Sequence, residues 1–351
     1  MKRMLILVVI TMLTGLLFAE EGVLIDFTKL NADIYVQVSE NDTSDEPNQN
    51  RHTMMDFSNV AGGSFTPDQR AFMKTSLAIQ NWDVELSSSA RTVETVGLSF
   101  TREAKSTQYE SEGMVMGVRV RFPTEPFNVW ATVKPPFEIP AFDQQSVGED
   151  GTIDRQGGVD NRYSRFEAQD DEGPAYGVIK NVGVIKSVAV TVYGLNFPHG
   201  LSVMLIDSQG NQRNIFMGYL EFDGWGELVW NNPQYVSEVR NRDIRLYPLY
   251  PTTTPFVKFG GFLIQRDAAK IGGDFITYFK DVRIVYDLAV LSGDRDIDDE
   301  STWNIINDRE NARKAWEMER FGQAQVLRYL ELQKQAREEN FDHYSRRDEQ
   351  P

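Results

Sequence analysis

Short runs in which apolar and polar residues alternate dominate the chain between residues 31 and 287. In residues 118–122, three apolar side chains alternate with two arginines, and residues 34–38, 129–133 and 188–192 repeat the same period of two. This period is typical of β-strands that bury one face. Turn-forming residues separate the runs, and no long amphipathic helix pattern interrupts them. The pattern therefore predicts a mainly β protein, built as a β-sandwich or a barrel.

The clearest hairpin prediction covers residues 201–222. Residues 201–206 alternate in the strand period, and residues 207–211, Asp-Ser-Gln-Gly-Asn, supply turn chemistry. Residues 215–222 return as the partner strand, and a late strand at 282–286 closes the β region.

From about residue 302 the pattern changes to that of a helix. Residues 307–340 contain no proline and one glycine, and most of the others are good helix formers. We therefore predict a long C-terminal α-helix over 307–340. Its narrow apolar stripe steps by three through Phe321, Ala324, Leu327 and Leu330, and Trp316 adds a large apolar group one turn earlier. Such a stripe is expected to pack on another surface, either this chain's own sandwich or a neighbouring subunit.

The first 19 residues have the layout of a cleavable secretory signal. Lys2 and Arg3 precede an apolar stretch at residues 5–18, and the small Ala19 is followed by the acidic Glu20. The apolar stretch is shorter than the roughly 20 residues that span a bilayer. We predict cleavage between Ala19 and Glu20, in preference to an uncleaved anchor, so the working chain lies outside the cytoplasm.

Composition divides the remaining chain into four parts. Residues 20–290 form the predicted β-sandwich domain, 291–306 an acidic linker, 307–340 the helix and 341–351 a disordered tail. Inside the β domain, the acidic segment 142–175 is rich in Gly, Gln and Asp. A compact domain rarely carries so long a structureless loop. The segment is therefore a mobile insertion, a contact loop or a boundary between two β halves.

Charge and cysteine content exclude several classes of function. The net charge of −16 disfavours nucleic acid and anionic membranes as partners, because contact with phosphates needs a basic surface. The chain has no cysteine, which removes thiol catalysis and thiolate metal sites. We predict no cofactor.

Motifs of enzyme chemistry are missing from the sequence. It has no HExxH, GxSxG, GxGxxG or phosphate-binding GxxxxGK[ST] motif. Asp294, Asp296 and Asp298 resemble the start of a calcium loop, but Asp299 and Ile305 stand where that loop needs Gly and Glu. We therefore predict no catalytic residue, no metal site and no enzyme. The three histidines are expected at the surface or in turns: His52, His199 and His343.

Aromatic residues cluster around the turn-forming Asp223, Gly224 and Gly226: Tyr219, Phe222, Trp225 and Trp230. We single out the two tryptophans, Trp225 and Trp230. They either plug the end of the sandwich core, which we favour, or form a flat surface on which a sugar ring stacks. The candidate contact surface for a partner combines the two tryptophans with apolar residues of the predicted C-terminal helix: Trp225, Trp230, Trp316, Phe321, Leu327 and Leu330.

Four long stretches carry a resemblance to a known family. They are NWDVELSSSARTVE at 81–94 and the segments 182–211, 217–235 and 257–287. Together with the N-terminus and the length, they resemble the FlaA family, the outer-layer (sheath) proteins of spirochaete periplasmic flagella. The resemblance rests on extended β segments and offers no catalytic residues.

The resemblance implies a location, partners and a role. The protein would be exported to the periplasm and would contact flagellin core subunits, other sheath subunits and copies of itself. It would influence filament shape, stiffness and motility, and its β domain would resemble jelly-roll modules of the galactose-binding type. An alternative is a periplasmic carbohydrate-binding module for cell-wall glycans. A glycoside hydrolase is the third hypothesis, and no pair of carboxylates stands out for it.

Overall fold

The computed structural model describes a defined part of the chain. The described residues are 20–30, 53, 55–56, 66, 74–141, 146–147, 153–154, 166, 176–235, 246–248, 255–292, 297 and 302–338. The predicted signal peptide, the C-terminal tail and nearly all of the 142–175 segment lie outside these residues, as do His52, His343 and Asp294, Asp296 and Asp298.

Two six-stranded antiparallel sheets form a sandwich, as the alternating pattern predicted. The first sheet has the order β14-β11-β17-β6-β5, and β1 also pairs with β17. Its strands are β1 (Glu20–Asp26), β5 (Phe100–Lys105), β6 (Met114–Phe122), β11 (Val182–Leu195), β14 (Asp223–Asn231) and β17 (Gly273–Leu288).

The second sheet has the order β13-β12-β16-β7-β4, and β10 also pairs with β16. Its strands are β4 (Asp83–Leu86), β7 (Val129–Lys134), β10 (Val178–Lys180), β12 (Gly200–Asp207), β13 (Gln212–Tyr219) and β16 (Phe256–Arg266). The β12–β13 pair is the predicted hairpin. In its turn the Asp207 carboxylate accepts hydrogen bonds from the backbone N–H groups of Gln209 and Asn211, both at 2.9 Å.

Shorter elements complete the described fold. Three pairs of short strands are β2 (Met55–Asp56) with β3 (Lys74–Thr75), β8 (Ser146–Val147) with β9 (Ile153–Asp154), and the parallel pair β15 (Leu246–Pro248) with β18 (Val290–Ser292). The helices are α1 (Val93–Gly97) and α2 (Ile305–Glu338), with 3-10 turns at Phe27–Lys29, Ile79–Asn81 and Ser88–Ala90.

The hydrophobic core lies between the two sheets. The apolar residues of the period-two runs point inward, so Val188, Val190 and Val192 of β11 are fully buried. Phe262 of β16 stacks on Phe279 of β17 with ring centroids 4.0 Å apart, which joins the sheets at the centre. Burial of apolar surface of this kind is the main force that holds such a sandwich together.

Candidate assembly surfaces

The predicted cleavage site lies at the start of the described structure. Ala19 is outside the described residues, whereas Glu20 is the first residue of β1 and is exposed. Glu20 pairs with Tyr286 near the end of β17, so the strand that begins there belongs to the first sheet.

Trp225 and Trp230 lie on opposite faces of β14 and do not form one surface. Trp230 pairs with the fully buried Val188 and packs against the core between the sheets. The Arg213 guanidinium covers its ring at 5.7 Å from the centroid. Trp225 pairs with Tyr193 on the outer face of the first sheet. The two tryptophans are five positions apart along the strand, and an odd number of positions places side chains on opposite faces.

Aromatic neighbours hold Trp225 against the sheet. Tyr109 and Tyr193 meet its ring edge-to-face, with centroids 5.0 Å and 5.3 Å away, and Tyr193 contacts Tyr278 in the same way at 5.9 Å. Edge-to-face contacts of this kind stabilise an aromatic cluster. Trp225 therefore belongs to a cluster on the outer face of the first sheet and does not plug the end of the core.

Tyr109 reaches Trp225 because the loop between β5 and β6, residues 106–113, folds across the outer face of the first sheet. The Lys280 ammonium lies 4.8 Å from the Tyr109 ring centroid and 3.0 Å from the Glu112 carboxylate. Burial alone would lower the pKa of Lys280, but hydrogen bonds to Glu112 and Asp281 outweigh it and raise that pKa. The charged lysine thus ties the loop to β17.

One side of α2 packs on this chain's own sandwich. Val326 is fully buried and belongs to the same contiguous cluster as the core. The Arg313 guanidinium lies 5.8 Å from the ring centroid of Phe256, and Arg320 approaches the Glu138 carboxylate at 3.5 Å. Glu138 also pairs with the buried Lys258 of β16 at 2.9 Å. The helix is therefore anchored near the first residues of β16.

The described residues of the apolar stripe predicted for this helix do not lie on the buried side of α2. Gly322 and Val326 are buried, whereas Ala324 is exposed and Trp316 and Leu327 expose 59% and 62% of their surface. The side chain of Phe321 lies outside the described residues. Among the described side chains the buried positions are Gly322 and Val326, four residues apart, so of the two alternatives for the stripe, the neighbouring subunit is the one that stays a prediction.

The exposed residues Trp316, Leu327 and Leu330 share one face of α2. At 100° per residue they fall within about 60° of one another around the helix axis. We call this set the helix stripe. The Arg320 guanidinium lies 5.0 Å from the Trp316 ring centroid, and Leu330 is the least exposed member, at 37%.

A second apolar surface lies on the outer face of the second sheet, and of its members the sequence analysis named only Tyr219. Its members are Trp130, Phe216 and Tyr219, with exposures from 45% for Trp130 to 55% for Tyr219. We call this set the aromatic patch. The signal was present in the sequence, because Trp130 and Phe216 occupy the outward positions of apolar strands, where polar residues are usual.

Strand register places the members of the aromatic patch in a row. Trp130 pairs with Gln265, Gln265 with Gly200, and Gly200 with Tyr219. The rings of Phe216 and Tyr219 meet at 5.4 Å. A Cβ on Gly200 would lie 3.1 Å from the Phe216 ring, so the glycine lets that ring lie over the strand.

His199 lies in the connection before β12, one of the two predicted settings, but its ring is buried. Its ring packs among Phe122, Phe197 and Phe275, at centroid distances of 5.2, 5.9 and 4.6 Å. Burial, followed by the nearby Arg266 guanidinium, lowers its pKa to about 4, so the ring is neutral at pH 7. The histidine belongs to the core because the turn before β12 folds inward. In the described parts of the chain, no group of three or more His, Asp or Glu residues is arranged to hold a metal ion.

Comparison with solved structures finds low-scoring matches. The carbohydrate-binding module TmCBM61 in complex with β-1,4-galactotriose matches at 9% identity and a TM-score of 0.24, over 58% of this chain and 88% of that chain. A xylan-binding CBM 22 domain matches at 11% identity and a TM-score of 0.24, over 59% and 87%. Scores of this size carry no argument about function. None of the described helices is long and apolar enough to cross a membrane.

Comparison with other sequences identifies the family of this chain. The model of the family "Flagellar filament outer layer protein Flaa" matches residues 46–295. A flagellar filament outer layer protein of Treponema pallidum (strain Nichols) is 47% identical over 97% of this chain and 96% of its own length. Proteins of the same name from Spirochaeta aurantia and Borreliella burgdorferi are 42% and 31% identical, over 93% and 76% of this chain and 90% and 72% of their own lengths. Matches that extend over both the sandwich and the flanking residues establish that the chain belongs to the FlaA family of flagellar filament outer layer proteins.

Proposed function

We propose that this protein is a structural subunit of the outer layer, or sheath, of a periplasmic flagellar filament. The observation that carries the proposal is the 47% identity to a named outer layer protein across nearly the whole of both chains. In this role the protein contributes to filament shape and stiffness, and hence to motility, without catalysis.

The protein reaches the filament by export. Residues 1–19 serve as a signal peptide, and the mature chain begins at Glu20. Strand β1 pairs with β17 from Glu20 onward, so the mature chain contains the whole of β1 as described. Mass spectrometry of the protein from isolated flagella checks this site, because a mature chain starting elsewhere would contradict it.

The proposed partners are flagellin core subunits, other sheath subunits and further copies of this chain. Sheath subunits act through repeated surface contact, since identical surfaces on successive copies propagate an assembly. The helix stripe and the aromatic patch support this part of the proposal. Exposed apolar residues that lie together mark interaction sites, whereas single scattered ones are normal on any protein surface. We also infer jelly-roll connectivity for the sandwich, as the chain crosses between the sheets from β11 to β12, β13 to β14 and β16 to β17.

Immunogold electron microscopy of isolated periplasmic flagella tests the proposal. Antibody against this protein should label the filament along its length, and a deletion strain should lose the label and show altered filament shape or stiffness. Label confined to the cell wall, with normal filaments in the deletion strain, would overturn the proposal.

A further inference from the structure

Two apolar surfaces on this chain are exposed at separate places. The helix stripe (Trp316, Leu327 and Leu330) lies on α2, and the aromatic patch lies on the outer face of the second sheet. Tryptophan and tyrosine are the residues most enriched at the energetic centres of protein interfaces. The stripe holds one such residue, Trp316, and the aromatic patch holds two, Trp130 and Tyr219.

Within one subunit the two surfaces stay apart. The contacts that anchor α2 involve Phe256 and Glu138, near the start of β16. The aromatic patch crosses β16 at Gln265, nine residues further along. Nine residues of extended strand span roughly 30 Å. A second copy is needed to bring a stripe onto a patch.

Charge favours the same pairing. Residues 305–338 of α2 hold seven Lys and Arg against six Asp and Glu, a net charge of +1. The whole chain carries −16, so the remaining residues carry −17. Two acidic sandwiches repel each other, whereas a helix of near-zero net charge approaches an acidic neighbour without that repulsion.

We propose that the helix stripe of one copy docks on the aromatic patch of a second copy. Because the two surfaces differ, the contact is heterologous: each copy offers one stripe and one patch, and the assembly continues without closing unless the rotation forms a ring. The proposal rests on the function proposed above and names the surfaces through which outer-layer subunits meet.

Sedimentation velocity of the chain from Glu20 onward, over a range of concentrations, tests this contact. The helix variant carries Trp316→Glu and Leu327→Glu, and the patch variant carries Trp130→Ser and Phe216→Ser. The unchanged protein should form a concentration-dependent series of oligomers. Each variant alone should weaken self-association by about tenfold or more, as expected when central aromatic anchors are lost.

Mixing the two variants gives the sharpest readout. The helix variant keeps an intact patch and the patch variant keeps an intact stripe, so one contact can form between them and no further copy can add. The mixture should therefore produce a dimer and no larger species. Val229→Glu is the matched control, because Val229 is exposed to a similar extent on the other sheet and should leave association unchanged. Thermal melts of all variants check that they fold.

Three outcomes would overturn the contact. They are an unchanged protein that stays monomeric, a patch variant that associates normally, or a mixture that yields no dimer. If the helix variant loses association while the patch variant associates normally, the stripe binds another helix or a different partner, and the proposed contact is wrong. Label along filaments together with any of these results would leave the outer-layer function standing, whereas absent label would reject that function independently of the contact.

Discussion

At the scale of single residues, a cation and a neutral histidine share one end of the core. Arg266 is buried and donates hydrogen bonds to the backbone carbonyls of Pro123, Glu125 and Phe127, which fixes the connection between β6 and β7. His199 lies near this positive charge, and neither of its ring nitrogens has a hydrogen-bond partner among the described residues. Both effects disfavour protonation of the imidazole.

This arrangement predicts acid sensitivity. The folded pKa of His199 is about 4, below the ordinary 6.5, so the unfolded chain binds more protons between these values. The contribution of neutral His199 to stability is therefore complete above pH 6.5 and is lost as the pH falls to about 4, amounting to about 3 kcal/mol. Denaturant unfolding at pH 7 and pH 4 measures it.

The control for this prediction is His199→Phe, which keeps an aromatic ring and removes the titrating group. The variant should lose less stability between the two pH values than the unchanged protein. Its remaining loss comes from the carboxylates that both proteins contain. Equal losses in the two proteins would show that His199 does not cause the acid sensitivity.

Glycine is required at one position of the second sheet. Gly261 has φ of +122°, and a Cβ there would lie 2.1 Å from the carbonyl oxygen of Val133. Gly261→Ala should therefore destabilise the fold by about 3 kcal/mol or more. Gly210→Ala is the control, since Gly210 also has positive φ, of +81°, but open space around it. Its cost should be about 1 kcal/mol, and equal costs in thermal or denaturant melts would refute the steric explanation.

At the scale of elements, another segment of the chain covers part of the outer face of each sheet. The loop at residues 106–113 crosses the first sheet and is held by Tyr109 and Lys280. Helix α2 lies against the second sheet near Phe256. Both coverings use cation–aromatic contacts over a β surface, which combine apolar area with electrostatic attraction. At the other end of the second sheet, Trp130 is 45% exposed.

Adjacent residues of α2 should differ sharply in their effect on stability. Val326→Asp places a charge in the buried cluster and should destabilise the protein by about 3 kcal/mol. Leu327→Asp changes a largely exposed side chain and should alter stability by no more than about 0.5 kcal/mol. Denaturant midpoints measure both. Similar losses for the two variants would mean that the helix does not dock through Val326.

At the scale of the whole molecule, the sandwich and the helix divide the work. The core between the sheets is continuous and contributes most of the buried apolar surface. The helix adds Val326 to the buried cluster that continues from this core and carries the exposed stripe on the adjacent part of its surface. The fold can thus hold α2 in place and still present apolar groups to a neighbour.

Removal of residues 307–351 separates these roles. The truncated protein should keep a β circular dichroism spectrum and lose about 2 kcal/mol of stability, the scale of one buried apolar side chain. Its association with filaments should weaken, as measured by co-sedimentation with isolated flagella. A truncated protein that coats filaments normally would exclude α2 from the assembly contact.

The sequence alone determined the architecture that depends on local patterns. Period-two alternation located the strands at 118–122, 129–133 and 188–192 and indicated a sandwich or a barrel, because the residues of each strand show which of its faces is buried. The hairpin turn was also readable, since Asp207 and Gly210 act within a few residues of each other. Family membership followed from the long β segments.

Tertiary structure decided which side chains are available to a partner. Trp225 and Trp230 separate because β14 pairs with β11 in one register, and His199 is buried because rings from β6 and β17 surround it. The buried side of α2 depends on Phe256 and Glu138, far away in the chain. The aromatic patch exists because strand pairing brings Trp130 and Tyr219 into one row. Outward positions such as Trp130 can be read along one strand, but the pairing that joins them to other strands leaves no local period, so only the folded chain shows which of them form one surface.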